Sequence, residues 1–283
     1  MLVGDLAGGQ SIDFGRRKSF LPEDWRYAPN WEAGINRLHQ RASHPMSKCV
    51  RLLLLPSALA VFLVTAAWAQ TETVEDGTQA AQRHDFAAAA QIWFPLAQKG
   101  NAEAQCDIGL LFLDGLGTTQ NYEVAMKWFK QSADQGYSKA QFLLGTIYEQ
   151  GRGVAQDKKE AARWYRTAAD QGFALAQYSL GNLYQSGSGV VQDNNEAFKL
   201  YQKAALQGLP QAQYNLGVMY AKGAGIAQDF LRAHMWFNLS AAQGFPDAPN
   251  ARSLAESKMT PAQIVQAQDM ASRCQTSHYK DCN

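Results

Sequence analysis

The feature that most constrains this chain is a period of 36 residues. A glycine followed three residues later by an aromatic residue recurs at this interval, in the pairs Gly109 and Phe112, Gly145 and Tyr148, Gly181 and Tyr184, Gly217 and Tyr220. A unit of this length holds two short helices, and neither can bury its apolar face alone. Neighbouring units must therefore stack into a continuous core. The period predicts an all-α chain folded as a right-handed α-solenoid of helix-turn-helix units, an α/α superhelix whose surface suits binding better than catalysis.

The period also divides the chain. It predicts four units at residues 101–136, 137–172, 173–208 and 209–244, preceded by an N-terminal capping helical pair at 70–100 and followed by C-terminal capping helices at 245–273 and a tail at 274–283. Within the C-terminal region, Thr260 and Gln263 form a capping box around Pro261, which predicts the start of the last helix.

Each unit contains a Gly-x-Gly turn between its two predicted helices, for example Gly151-Arg152-Gly153. This pattern resembles the start of a phosphate-binding loop, but no strand pattern precedes it and no Gly-Lys-Ser/Thr follows it. We therefore expect the glycines to end the first helix in a left-handed conformation. Asp157, six residues after the first glycine, is expected to cap the second helix.

Residues 46–69 have the three parts of a cleavable signal peptide. Lys48 and Arg51 supply the positive region, an apolar run covers 52–66, and small residues end the segment. We expect cleavage between Ala69 and Gln70, and hence a periplasmic or secreted protein that meets the membrane only through the transient signal peptide. The alternative is a helix that stays in the membrane as an anchor.

Residues 1–45 precede this segment and show neither helical periodicity nor an apolar core. Because a signal peptide should begin the protein, we interpret these residues as a non-native or disordered leader and expect translation to start at Met46.

Three cysteines remain after the predicted cleavage. Cys274 and Cys282 are close enough in the tail to form a disulfide, which would add about 2 to 3 kcal/mol of stability. Cys106 is then left as a free thiol. It occupies the position of larger side chains in later units, so we expect a small apolar residue on a helix rather than a reactive nucleophile.

Catalytic and metal-binding patterns are weak. His84, His234 and His278 lie far apart without metal-ligand spacing, and His234 is interpreted as a surface or packing residue. Ser277 and Lys280 match a Ser-x-x-Lys motif, but the partner motifs of such enzymes are missing. The net charge of +1, with acidic and basic residues mixed, gives no support to nucleic-acid binding. No cofactor or metal site is expected.

The variable positions of the repeat are the best candidates for a binding surface. Positions 106, 110 and 113 share one face of the first helix, which we expect to be offset from the core and to form the concave wall of the solenoid. Their equivalents through the four units are Cys106, Phe142, Tyr178 and Tyr214; Leu110, Thr146, Asn182 and Val218; Leu113, Glu149, Gln185 and Ala221.

Such a wall could hold an extended peptide or a partner helix, with the aromatic rings as anchors and the polar groups contacting backbone. The candidate partner-binding residues are Phe142, Tyr178, Tyr214, Thr146, Asn182, Glu149 and Gln185. The alternative is that the aromatic rings only pad the neighbouring helix.

The pattern Ala-Gln-x-x-Leu-Gly-x-x-Tyr-x-x-Gly-x-Gly-Val-x-x-Asp, followed by Ala-x-x-Trp-Tyr-x-x-Ala-Ala-x-x-Gly, resembles the Sel1-like repeat. It is clearest in 140–172, covers 101–244 fully and extends more loosely over 78–273. This family is related to tetratricopeptide arrays and generally acts as an adaptor for other proteins. The resemblance therefore implies a non-enzymatic protein-binding or peptide-binding adaptor or regulator in the bacterial envelope.

Two alternatives stay open. The cysteine-rich branch of Sel1-like proteins has been linked to β-lactams, which would imply a periplasmic hydrolase of β-lactams or cell-wall peptides. That branch has a cysteine pair in each unit, whereas Cys106 is alone in the repeat body here. The other alternative is a structural envelope component that associates with itself.

Overall fold

A computed structural model describes residues 72–282, which form twelve α-helices and, within that range, no strand. The helices are α1 Val74–Gln82, α2 Phe86–Gln98, α3 Ala102–Asp114, α4 Tyr122–Asp134, α5 Ser138–Gln150, α6 Lys158–Asp170, α7 Ala174–Ser186, α8 Asn194–Ala205, α9 Pro210–Lys222, α10 Phe230–Ala242, α11 Ala248–Glu256 and α12 Pro261–Thr276. Each helix from α1 to α10 packs against the next one along the chain. The predicted all-α solenoid of stacked helix pairs is confirmed.

Two predictions concern residues outside the described range. They are the leader at 1–45, and the signal peptide or membrane anchor at 46–69 with cleavage between Ala69 and Gln70. Between 72 and 282, none of the helices combines the length and the apolar character needed to cross a membrane.

A glycine in the middle of each first helix makes room for an aromatic ring of the second helix. A Cβ atom added at Gly145 would lie 2.5 Å from the ring of Tyr165, and one at Gly181 would lie 2.7 Å from the ring of Tyr201. The same contact joins Gly109 to Phe129 and Gly217 to Phe237. Because a helical glycine costs about 1 kcal/mol relative to alanine, this close approach is what keeps it in every unit.

The turn between the two helices has the predicted chemistry. Gly151 ends α5 with a left-handed φ of 68°, and the Asp157 carboxylate accepts hydrogen bonds from backbone N–H groups of Lys159 and Glu160 at the start of α6. The second glycine of the turn, Gly153, lies against Tyr122 of the preceding unit. The turn is therefore a helix connection that also touches the neighbouring unit.

A buried glutamine ties each unit to the one before it. In the second unit, Gln141 Nε2 donates to the Ala133 carbonyl of the preceding unit at 3.2 Å, and its Oε1 accepts from Gln171 Nε2 at 2.7 Å. Gln105, Gln177 and Gln213 repeat this arrangement. All four glutamines are at most 5% exposed. Each glutamine adds a hydrogen bond to a backbone carbonyl at the unit boundary, and this buried bond fixes how neighbouring units sit on each other.

The N-terminal pair, α1 and α2, is a shortened repeat. Trp93 lies 36 residues before Phe129 and its ring covers Gly77, as the rings cover glycine in the later units. The connection between α1 and α2 is residues 83–85, four residues shorter than residues 115–121 between α3 and α4. Four residues are about one helical turn, so α1 keeps the same face toward α2 despite the shift in register.

The C-terminal helices depart from the repeat. They do not continue it as a further pair, because α11 and α12 both pack principally against α10. The reason is visible in α11, where Arg252 and Glu256 replace the apolar Leu216 and Tyr220 of α9, and Ser253 replaces the glycine under the ring. The row on which the repeat would pack a second helix is therefore polar on α11 and lacks the clearance of a glycine, and α12 folds back instead.

The tail closes this end of the solenoid. Cys274 and Cys282 are joined by a disulfide, and both are buried in the core around α10. Between them, Tyr279 reaches back to lie against Gly208, at the junction of the third and fourth units.

Candidate functional site

Positions 106, 110 and 113 of the first helices, with their equivalents in the later units, form what we call the first-helix face. The sequence predicted that this face is offset from the core. In the first repeat it is not. Cys106 and Leu113 are 0% and 7% exposed and belong to the core cluster that contains Phe129. The expectation is wrong there because Cys106 and Leu113 pack with the apolar ring of α4 instead of facing solvent.

The aromatic residues of this face lie between helices. The Phe142 ring is 5.6 Å from that of Tyr165 and 5.4 Å from that of Phe173, measured between centroids. The centroid of the Tyr178 ring lies 5.9 Å from that of Tyr201, and the Tyr214 ring contacts the rings of both Phe237 and Phe245. All three are half-buried. Much of each ring therefore pads the second helix and the start of the next unit, which is the alternative left open above.

In the second repeat, the polar residues of the face surround a buried tyrosine hydroxyl. Tyr165 Oη donates to Glu149 Oε2 at 2.6 Å and lies 3.3 Å from Thr146 Oγ1. Burial, and then the negative charge of Glu149, raise the pKa of Tyr165 above its usual value, so it stays a neutral donor.

The third repeat has the same arrangement with amides in place of the carboxylate. Tyr201 Oη donates to Asn182 Oδ1 at 2.6 Å and lies 3.1 Å from Gln185 Oε1. Asn215 of the next unit donates to the same Asn182 oxygen at 3.3 Å.

The variation along the first-helix face thus follows the residue on the second helix. In the first and fourth repeats that residue is Phe129 or Phe237, which has no hydroxyl, and the facing positions are apolar: Leu110, Leu113, Val218 and Ala221. In the second and third repeats it is tyrosine and the facing positions are polar. The order Phe129, Tyr165, Tyr201 and Phe237 can be read from the sequence, and it is the signal that identifies these contacts. We call Thr146, Glu149, Asn182, Gln185 and Asn215 the central polar patch.

An ion pair lies at the boundary of the first and second repeats. Lys139 Nζ is 3.1 Å from Asp107 Oδ1, whose side chain is 10% exposed. Burial raises the pKa of Asp107 above its usual value, and Lys139 offsets part of that effect. The equivalents of Asp107 in later units are uncharged, namely Leu143, Ser179 and Asn215.

The other reactive groups have structural roles. Cys106 is buried, and burial raises the pKa of its thiol to about 12, which keeps it protonated, as expected for a packing residue. His234 is fully buried rather than on the surface, with Nε2 2.9 Å from Glu256 Oε1. Ser277 Oγ donates to the Cys274 carbonyl and accepts from the Asp281 N–H, both at 2.9 Å, within the tail turn. Between residues 72 and 282, no group of histidine, cysteine, aspartate or glutamate side chains is arranged to hold a metal ion.

The repeat unit that carries this face matches a known family along half of the chain. The Sel1 repeat model matches residues 102–137, 138–173, 174–209 and 210–245, one residue after the boundaries predicted from the sequence. The chain belongs to the Sel1 repeat family. Sel1 repeats generally serve as scaffolds for protein–protein interaction, so the family places this chain among binding proteins.

Solved structures with Sel1 repeats resemble this chain. A Sel1 repeat protein from Oxalobacter formigenes is 34% identical over 62% of this chain and 72% of its own, with a TM-score of 0.58. A protective antigen of uropathogenic Escherichia coli with the same type of fold is 25% identical over 75% of this chain and 56% of its own, with a TM-score of 0.48. No curated protein matches the chain.

Proposed function

We propose that this Sel1 repeat protein is a non-catalytic scaffold in the bacterial envelope that binds a protein or peptide through the first-helix face. The observation that carries the proposal is the central polar patch. Stacking alone does not require a tyrosine under this face, since Phe129 and Phe237 fill the same space in the outer repeats. A buried hydroxyl costs free energy unless it is paired. The tyrosines of the middle repeats are therefore not needed for stacking, and their hydroxyls hold the polar side chains of the face in fixed orientations, which favours a role in recognition.

The patch also has polar groups available to a partner. Glu149 Oε1, Asn182 Nδ2 and Gln185 Nε2 make no hydrogen bond within residues 72–282, and none of them is a buried atom. The half-buried rings of Tyr178 and Tyr214 lie in the same row. Aromatic rings beside fixed polar groups are the usual composition of a protein-binding hot spot.

The envelope location rests on the signal-like segment 46–69 and on the tail disulfide. Disulfides persist in oxidising compartments such as the periplasm, so the bond between Cys274 and Cys282 supports export.

The two alternatives gain no support from these contacts. A hydrolase using Ser277 would need its hydroxyl free, whereas Oγ is engaged with two backbone groups of the tail. Turnover of a chromogenic β-lactam by the purified protein would contradict the scaffold proposal. Continuation of the repeat from one copy to the next would need the apolar residues and the glycine of the repeat on α11, where Arg252, Ser253 and Glu256 stand instead.

Site-specific photocrosslinking in the cell envelope tests the proposal. A photoreactive amino acid replaces Asn182 or Gln185, and, as matched controls, Arg163 or Lys199 on second helices, whose side chains are 72% and 65% exposed. We expect one discrete protein adduct from positions 182 and 185 and none from the controls. Adducts that form only at the controls, or equally at all four positions, would contradict a binding role for the first-helix face.

A further inference from the structure

The central polar patch combines one unpaired carboxylate with amides of fixed orientation, and this combination indicates what kind of peptide it suits. We propose that the second and third repeats select a segment with a lysine or arginine side chain, which pairs with Glu149, while Asn182 donates to a backbone carbonyl of the same segment. This inference rests on the proposed function and names the chemistry of its partner.

Glu149 is the only charged residue of the patch, and only one of its oxygens is engaged. Oε2 accepts from Tyr165, a neutral donor, and no lysine or arginine of the described residues forms an ion pair with this carboxylate. Tyr165 is 1% exposed and therefore holds the carboxylate in one position. A fixed, half-buried carboxylate without a counter-charge gains more from an incoming cation than one in bulk water, because the local dielectric constant is lower.

The nearest basic residue of the same helix does not serve as that counter-charge. Lys139, at the opposite end of α5, is bonded to Asp107 across the repeat boundary. Its charge is therefore matched locally, and it leaves Glu149 available to a partner.

The amide of Asn182 has a defined orientation. Its Oδ1 accepts from both Tyr201 Oη and Asn215 Nδ2, so its Nδ2 group points away from these two residues with both N–H groups available. The second repeat thus offers an acceptor with negative charge, and the third offers donors. A peptide supplies the complement of both, since a basic side chain can reach the carboxylate while a neighbouring carbonyl accepts from the amide.

The probe is a displayed library of random peptides, selected on the purified mature chain. We expect the selected peptides to share a lysine or arginine at one position. A synthetic peptide from this set, and its counterpart with norleucine at that position, are then measured against the wild type and the Glu149→Gln variant. Glutamine keeps an oxygen that accepts from Tyr165, so the variant retains the internal hydrogen bond and removes only the charge.

We expect Glu149→Gln to weaken binding of the basic peptide about tenfold or more and to leave binding of the norleucine peptide unchanged. Glu160→Gln is the matched control, because it removes a carboxylate from the second helix α6, where Glu160 pairs with Arg163. Asn182→Ala should weaken both peptides equally.

The outcomes separate the two proposals. Selected peptides without a basic residue, or equal loss of both peptides in Glu149→Gln, would overturn the inference and leave the scaffold proposal standing. Acidic selected peptides would also overturn it. A library that yields no binding peptide, together with no crosslinked partner at positions 182 and 185, would overturn both.

Discussion

Replacing Gly145 by alanine tests the packing on which the repeat depends. The added Cβ would lie 2.5 Å from the Tyr165 ring, whereas ordinary contacts begin at 3.4 Å. The ring would therefore have to move by roughly 1 Å. It is 1% exposed, it packs against Phe142, and its hydroxyl is bonded to Glu149, so it has little freedom to move.

The change in the free energy of unfolding is the sum of one stabilising effect and two destabilising effects. Alanine improves helix propensity by about 1 kcal/mol over glycine. Overpacking a filled core costs about 1 to 3 kcal/mol, and weakening the bond between Tyr165 and Glu149 adds about 1 kcal/mol or more. The free energy of unfolding should fall by about 1 to 3 kcal/mol, which lowers the melting temperature by roughly 3 to 10 °C.

Urea unfolding followed by circular dichroism measures this loss, and a double-mutant cycle identifies its cause. In a Tyr165→Ala background the clash is absent, so Gly145→Ala should stabilise the protein by up to about 1 kcal/mol through helix propensity alone. The sign of the substitution should therefore reverse between the two backgrounds. A Gly145→Ala variant as stable as the wild type, or the same loss in both backgrounds, would refute the reasoning.

Three further predictions concern stability. Gln141→Ala removes two hydrogen bonds from a buried site, to the Ala133 carbonyl and from the Gln171 amide, and should cost about 1 to 3 kcal/mol in urea unfolding. The exposed Gln131→Ala should cost less than about 0.5 kcal/mol, and equal effects would contradict the role of the buried glutamine. Cys282→Ser should lose about 2 to 3 kcal/mol and match the reduced wild type, and a stable variant that still responds to reductant would contradict this. Because burial raises the pKa of Asp107, its ionised form is less favourable in the folded state, so the stability of the wild type relative to Asp107→Asn should fall as pH rises from below 3.8 to 7. A relative stability that rises over this range in thermal melts would show that Lys139 outweighs burial.

The repetitive part of the fold was predictable because local chemistry recurs in every unit. The helix-ending glycines such as Gly151 and the caps such as Asp157 depend on residues within a few positions of each other. The mid-helix glycine also indicated a packing reason, since its cost returns in every unit.

The burial of the residues on the first-helix face was not predictable from the first helix alone. The residue at position 113 faces a ring that lies 16 residues later on the second helix. Where the ring is Phe129, the position holds the buried, apolar Leu113; where the ring is Tyr165, it holds the polar Glu149. Reading the two positions as a pair would have linked the polar residues to Tyr165 and Tyr201. The sequence left His234 as a surface or packing residue for a similar reason, because α11 covers it only after α11 and α12 fold onto α10.

The buried glutamines have a consequence for how such an array changes length. Each one is satisfied by the unit before it and by its own unit, and by nothing further along the chain. Duplicating or deleting a whole block of 36 residues between 102 and 245 would therefore join two compatible ends and leave every buried glutamine with both of its partners. The residue 36 positions after Gln213 is Pro249, which has no side-chain amide, so the series of buried glutamines ends there. Gene duplication can thus lengthen the protein from within, while its terminus stays fixed.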